Sequence, residues 1–537
     1  MRITQKGENM IKLSRLFSDN MILQRNAEII MRGFSAPNEF ATVNFAGKTA
    51  SAKADDKGFW SVSLGEFAAN SEPQSIIITS GGETLEIRNV LIGDIWVCGG
   101  QSNMELALNR TCHNFPDELA ITNPLIRQFK VPQVYNFDAP ADEFSLANCG
   151  CGWEHFCPEN AQNFTAVGYF FAKKLTEKYG VPVGLLNTAV GGTPVAAWMS
   201  REMLEELGLK EELAEAEKCK DKQYIEQTLK DEDANTTDYH SRLWKADPGC
   251  QEKWRSADFD DSDWEEIPLC KDVDKGTGTY WYRKTVEIPE ELRGQEATIF
   301  LGLAVDMDEV FINGEKLGAT YYRYPPREYK FTLPQEKSLT IVVRLLCFNG
   351  FGGFTAGKNY FIATETRTID IGGAWKRRHG TEFESPKPMA FFQYKPTGVY
   401  NGMISPLFNY AMKGIIWYQG ESDAWNYTRY AEKLTAVING WREAWATVKD
   451  EKTAPFIQTQ LVYYALTGDT DWDLIREQQK KCLALPCTGL AGGYDLGEYN
   501  DLHPQNKRDV GERLARLAMR LAYGEKMPPN VFEMYNC

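Results

Sequence analysis

Nowhere in its 537 residues does the chain reach the roughly 18 consecutive apolar residues that a membrane-spanning helix needs, so such a helix is excluded. The opening, MRITQKGENMIKLSRLFSDNMILQ, also lacks the apolar core of a secretory signal. A cytoplasmic location is therefore expected unless a leader has been trimmed away, with the residues before Met10 reading as an unstructured lead. Positive charge is in short supply: 59 Lys and Arg against 74 Asp and Glu leave a net charge of −15. A field of that sign repels phosphate backbones and argues against a nucleic-acid partner. The 12 cysteines form no spaced framework. Cys149, Cys151, Cys157 and His155 sit close in sequence, but no second ligand pair follows at zinc spacing, so no metal is expected and the thiols read as reduced.

What remains is ordinary folded protein, 43% hydrophobic and 25% charged, long enough for two to four domains. Residues 10–92 carry short runs of alternating character, such as AEIIMRGFS and QSIIITSGGETLEIRNV, which suit an N-terminal β-sandwich. The rhythm then becomes strand, helix, strand: LIGDIWVCGG, FTAVGYFFAKKLTEKYG and VPVGLLNTAVGG open a parallel α/β sheet. Residues 201–235 are charged and helical in tone. From 247 to 371 the text is β-rich again, with Asn313-Gly314 supplying the positive φ values of a tight hairpin, and reads as a jelly-roll sandwich. KGIIWYQGESDA, APFIQTQLV and TGLAGGYDLG then resume the α/β pattern, alternating with helices up to about 527. Two sheet strands precede the β-rich block and three follow it, so one α/β domain (93–246 and 372–527) is expected to be interrupted by an insert (247–371), which costs little loop entropy.

Loops after the strands of a parallel sheet share one rim, where active sites gather. Those loops carry Gly99-Gly100-Gln101-Ser102-Asn103, Val190-Gly191-Gly192-Thr193, Gln419-Gly420-Glu421-Ser422-Asp423 and Asn500-Asp501-Leu502-His503-Pro504. A serine, paired glycines, a side-chain amide and a histidine beside an aspartate are what acyl transfer requires. The sequence around Ser102 lacks the final glycine of G-x-S-x-G, so the α/β-hydrolase elbow is not the template.

The blocks GDIWVCGGQSNM, NTAVGGTPVAAW, GIIWYQGESDA and DLHPQNKRDVGERLA resemble those of the sialate O-acetylesterase family within the SGNH hydrolase superfamily. The insert, through WYRKTVEIP and DEVFINGEKLG, is similar to the jelly-roll module of β-galactosidase-type glycoside hydrolases. The resemblance implies an α/β fold with an SGNH-like three-layer domain. It also implies a serine carbohydrate esterase acting on O-acetylated sugars, above all O-acetylated sialic acid, without a cofactor.

Residue by residue, the resemblance implies Ser102 as nucleophile and His503, the one of five histidines in a matching block, as base. Asp501 is the suggested orienter of His503, although the superfamily spacing would place the acid at residue 500, here an asparagine. Asp501 could instead cap a helix beginning at Pro504, leaving Glu421, Asp423 or Asp495 to supply the carboxylate. The oxyanion donors implied are the Ser102 amide, an amide of Gly191-Gly192 and the side chain of Gln419. Gln101, Asn103 and Glu421 are candidates for loop support or substrate contact. Another acetylated glycan, such as xylan, is the alternative substrate. A noncatalytic carbohydrate-binding protein is the rival reading, and a glycosidase is disfavoured because no acid pair stands out in the insert.

Overall fold

The computed structural model describes residues 11–111, 114–144, 152–270, 274–323, 325–348, 350–445, 454–465, 471–499, 501–528 and 530–536. Two compact units result, the first made of residues 1–224, 391–499 and 503–537, the second of 225–390 and 500–502.

The first unit is organised by one long strand, β1 (Glu83–Gly100). Its first half pairs antiparallel with Asn70–Ser80, part of the N-terminal strand set. Its second half is buried on both faces from Val90 onward. A four-residue helix, α1 (Ser102–Glu105), follows at once. Then come β2 (Asn123–Lys130), α2 (Ala166–Tyr179) and β3 (Val183–Asn187). After the second unit the chain continues with β4 (Gly414–Tyr418), α3 (Tyr430–Trp445), β5 (Phe456–Thr459), α4 (Asp471–Lys481), β6 (Thr488–Ala491), α5 (Lys507–Leu521) and β7 (Glu533–Asn536).

The strand order is β2-β3-β1-β4-β5-β6 and every pairing in that path is parallel, with antiparallel edges at Trp153–Phe156 and β7. Strand β1 lies between β3 and β4, so the order turns back on itself there. This is a topological switch point, and the crevice outside its carboxyl end is where open α/β sheets bind ligands.

Two expectations change. A boundary between 92 and 93 would cut β1 in half, since the same strand serves both the N-terminal sheet and the parallel one. Three parallel strands, not two, precede the second unit; β2 escapes a sequence reading because NPLIRQFK hides its burial behind polar letters. Arg127 is buried there by donating to the carbonyl of Asn20 at 2.7 Å and to Asn89 Oδ1 at 2.9 Å. A fully hydrogen-bonded guanidinium can sit where an apolar side chain would be expected.

The second unit begins earlier and ends later than the expected 247–371. Its main sheets are antiparallel, one of six strands and one of four. A shared apolar core includes Tyr280, Tyr282, Ile299, Ile341, Val343 and Trp375. The hairpin at Asn313-Gly314 forms with φ of 49° and 90°, pairing Ile312 with Glu315. Trp264 and Trp281 are core residues, packed with Trp254 and Phe311.

Candidate active site

Strand β1 ends in Gly99-Gly100 because the backbone must turn sharply against β4: Gly100 has φ of 122°, and a Cβ there would lie 2.1 Å from the Tyr418 carbonyl oxygen. The turn places Ser102 at the first position of α1. His503 reaches it from the loop after β6, with Nε2 2.8 Å from Ser102 Oγ. The two residues are 401 positions apart in sequence. His503 is buried, and burial pulls its pKa down to about 3, with the cations Lys507 and Arg110 adding to the effect. The imidazole is therefore neutral at ordinary pH, the form that can accept a proton.

The loops around the pair are tied together by buried side chains. Gln101 Oε1 accepts from the amides of Gly420 and Ser422 at 3.4 and 3.2 Å. Asn103 Nδ2 donates to Glu421 Oε1 at 2.6 Å, while Asn103 Oδ1 accepts from Lys507 Nζ at 2.6 Å. Burial pushes the Glu421 carboxyl upward, and its contact with Asn103 and the nearby Lys507 oppose that shift. Lys507, fully buried at the start of α5, had no signal in the sequence beyond its place in a motif block.

Gln419 is fully buried, but its Nε2 donates to the Thr193 carbonyl at 3.1 Å and to Asp423 Oδ2 at 2.5 Å, while its Oε1 accepts from Tyr430 at 2.9 Å. Both of its amide hydrogens are thus engaged, by the loops after β3 and β4. The Gly191 amide donates to Glu105 Oε2 at 2.6 Å. The amides of Ser102 and Gly192 have no acceptor among the described residues. Gly192 must be glycine: its φ is 77°, and a Cβ would lie 1.9 Å from the phenol oxygen of Tyr394.

Asp501 does not cap the last helix, which starts at Lys507 with Asn506 as its N-cap. One oxygen of the buried Asp501 carboxylate accepts from Lys358 Nζ at 2.7 Å. Asn500 lies outside the described residues. Of the substitute acids, Asp495 pairs with Arg513 at 2.6 Å, and Asp423 accepts from Gln419 and from the Val195 amide at 2.9 Å. Burial pushes Asp423 up to about 6. Cys149 and Cys151 lie outside the described residues, and among the described ones no group of three His, Cys, Asp or Glu side chains could hold a metal ion.

A parallel sheet with a serine–histidine pair over its switch point defines a class, the α/β proteins with a hydrolase fold. The profile of a carbohydrate esterase family, the sialic acid-specific acetylesterases, matches residues 92–224 and 387–520, about half of the chain. The chain belongs to that family. Similar curated proteins include the sialate O-acetylesterases of Rattus norvegicus, 36% identical over 145 residues, and Homo sapiens, 32% over 148 residues. These matches span 24% and 25% of this chain and only 27% and 28% of those relatives. Among solved structures, a carbohydrate acetylesterase from Xanthomonas citri is 27% identical, with a TM-score of 0.59 over 96% of this chain and 76% of that one.

Proposed function

We propose that this protein is a serine esterase that removes O-acetyl groups from sugars, with O-acetylated sialic acid as the leading substrate and another acetylated glycan as the alternative. The observation that carries the reading is the 2.8 Å contact between Ser102 Oγ and Nε2 of the buried His503. Ser102 attacks the acetyl carbonyl as His503 Nε2 takes its proton. The amides of Ser102 and Gly192 stabilise the oxyanion, a role supported by their lack of other acceptors among the described residues. His503 then returns the proton to the departing sugar oxygen. In the second half, water attacks the carbonyl of the acetyl-Ser102 ester as His503 takes its proton; the ester bond to Oγ breaks, acetate leaves, and His503 passes the proton to Ser102 Oγ. Asp501 is proposed to orient the imidazole, although Lys358 already engages one of its oxygens. The reaction needs no cofactor. In fold, the first unit is read as an SGNH-like three-layer domain with an N-terminal sandwich, and the second as a jelly roll.

The test is turnover of 4-nitrophenyl acetate and of a panel of O-acetylated sialic acids and plant glycans, followed by mass spectrometry of acetate loss. Ser102→Ala should lower kcat by about a thousandfold or more. Equal turnover by wild type and variant would support a noncatalytic sugar-binding protein instead.

A further inference from the structure

Glu105 closes the short helix that Ser102 opens, one turn below the nucleophile. Its carboxylate is clamped at both oxygens: Oε2 accepts from the Gly191 amide at 2.6 Å and Oε1 from Gln133 Nε2 at 2.8 Å. A Cβ placed on Gly191 would lie 3.1 Å from Glu105 Oε2 and 3.6 Å from Ser102 Cβ, so Gly191 is flanked by both residues. Glu105 is only half-buried. A carboxylate accepts about four hydrogen bonds, and the two made here leave acceptor capacity on a group too well held to swing aside.

An aromatic wall stands beside it. The Tyr394 phenol packs on Gly192, and its ring stacks on Phe391 with centroids 4.9 Å apart and planes 21° apart. Phe391 is held in the left-handed region, at φ of 44°, and is 37% exposed. An exposed phenylalanine kept in that conformation stores strain, which persists only where surrounding contacts impose it and which clusters at ligand sites. Tyr135 donates to Gln133 Oε1 at 3.1 Å, and its hydroxyl feels both Glu105 and Tyr394, which draws the four groups into one cluster.

We infer that Glu105 is a specificity residue, accepting a hydrogen bond from the hydroxyl next to the acetylated position of the sugar while the ring's C–H face rests on the Phe391–Tyr394 stack. This rests on the esterase reading above and deepens it. Glu105 takes no step in the acyl transfer proposed above. It does suit an ester whose neighbouring carbon carries a hydroxyl, as in an acetylated polyol ring or side chain. A hydrogen bond to a charged acceptor is worth enough to change kcat/KM by about 10- to 100-fold.

The experiment compares three esters: an acetylated methyl glycoside with a free neighbouring hydroxyl, the same glycoside with that hydroxyl O-methylated, and 4-nitrophenyl acetate. Wild type should prefer the free hydroxyl over its methyl ether. In Glu105→Ala that preference should shrink about tenfold or more, and the ratio of glycoside to aryl acetate turnover should fall. Glu105→Gln, which keeps the shape and one acceptor oxygen, should lie between the two. Phe391→Ala should raise KM for both glycosides relative to the aryl ester. An unchanged preference, or equal losses on all three esters, would reduce Glu105 to a support for Gly191 and overturn the inference. A gain on all three would make it an obstruction of the Gly191 amide and overturn the inference equally. Failure of the underlying esterase reading would look different: aryl acetate turnover insensitive to Ser102→Ala.

Discussion

At the scale of single residues, the most consequential group is His503. Its pKa is pulled down to about 3, against about 6.5 for an exposed histidine. Between those values the unfolded chain binds a proton that the folded chain refuses. The stability contributed by keeping the ring neutral is thus present above about 6.5 and declines as pH falls toward about 3. Urea unfolding across that range should show stability falling with acid more steeply in wild type than in His503→Gln. The acid limb of kcat/KM should likewise lie below the usual histidine range in a pH–rate profile. Gln419 makes the opposite kind of case. A residue whose amide braces two loops should, on change to alanine, cost stability of about 1–3 kcal/mol by leaving buried partners unsatisfied. Unfolding in urea measures that loss. Its position in a motif block was legible, but its role as a brace was not, because Thr193 approaches it from a loop 226 residues away.

At the scale of elements, close approach of backbone and ring explains the glycine signals. Gly192→Ala would place a methyl group against the Tyr394 phenol and force alanine into the left-handed region. A cost of about 1–3 kcal/mol is expected, together with loss of the Gly192 amide geometry, seen as a lower melting temperature and lower kcat. In the second unit, a buried ion pair joins the strand Met307–Ile312 to the segment that opens the strand Glu328–Thr332 of the other sheet: Arg327 Nε donates to Asp308 Oδ1 at 2.5 Å, and Tyr329 donates to Oδ2 at 2.7 Å. Burial raises the Asp308 pKa despite the arginine. Arg327→Leu leaves that carboxylate without its cation and should destabilise the protein by about 3–5 kcal/mol in denaturant titration. Periodicity and turn chemistry disclosed the hairpin at Asn313-Gly314, since two residues suffice to specify such a turn. Strand β2 escaped the same reading because Arg127 and Gln128 are buried through partners distant in sequence.

For the whole molecule, one strand decides how far the chain can be divided. Strand β1 is at once the partner of the N-terminal sheet and the centre of the parallel sheet. A truncation beginning at residue 93 would remove half of it and expose the neighbours of Val90, Leu91 and Ile92, all buried. Such a chain should be recovered unfolded or aggregated, as judged by size-exclusion chromatography and circular dichroism. Local pattern alone determined the alternation of strands and helices, the β-rich interruption and the short roster of reactive side chains at strand ends, because spacing and turn residues act over a few positions. Only the tertiary structure decided the rest: Glu105 at the Gly191 amide, Gln419 as a brace and a late start for the last helix. Glu105 meets Gly191 across 86 residues and Gln419 meets Thr193 across 226, and hydrogen-bond partners at such separations leave no periodic trace in the sequence.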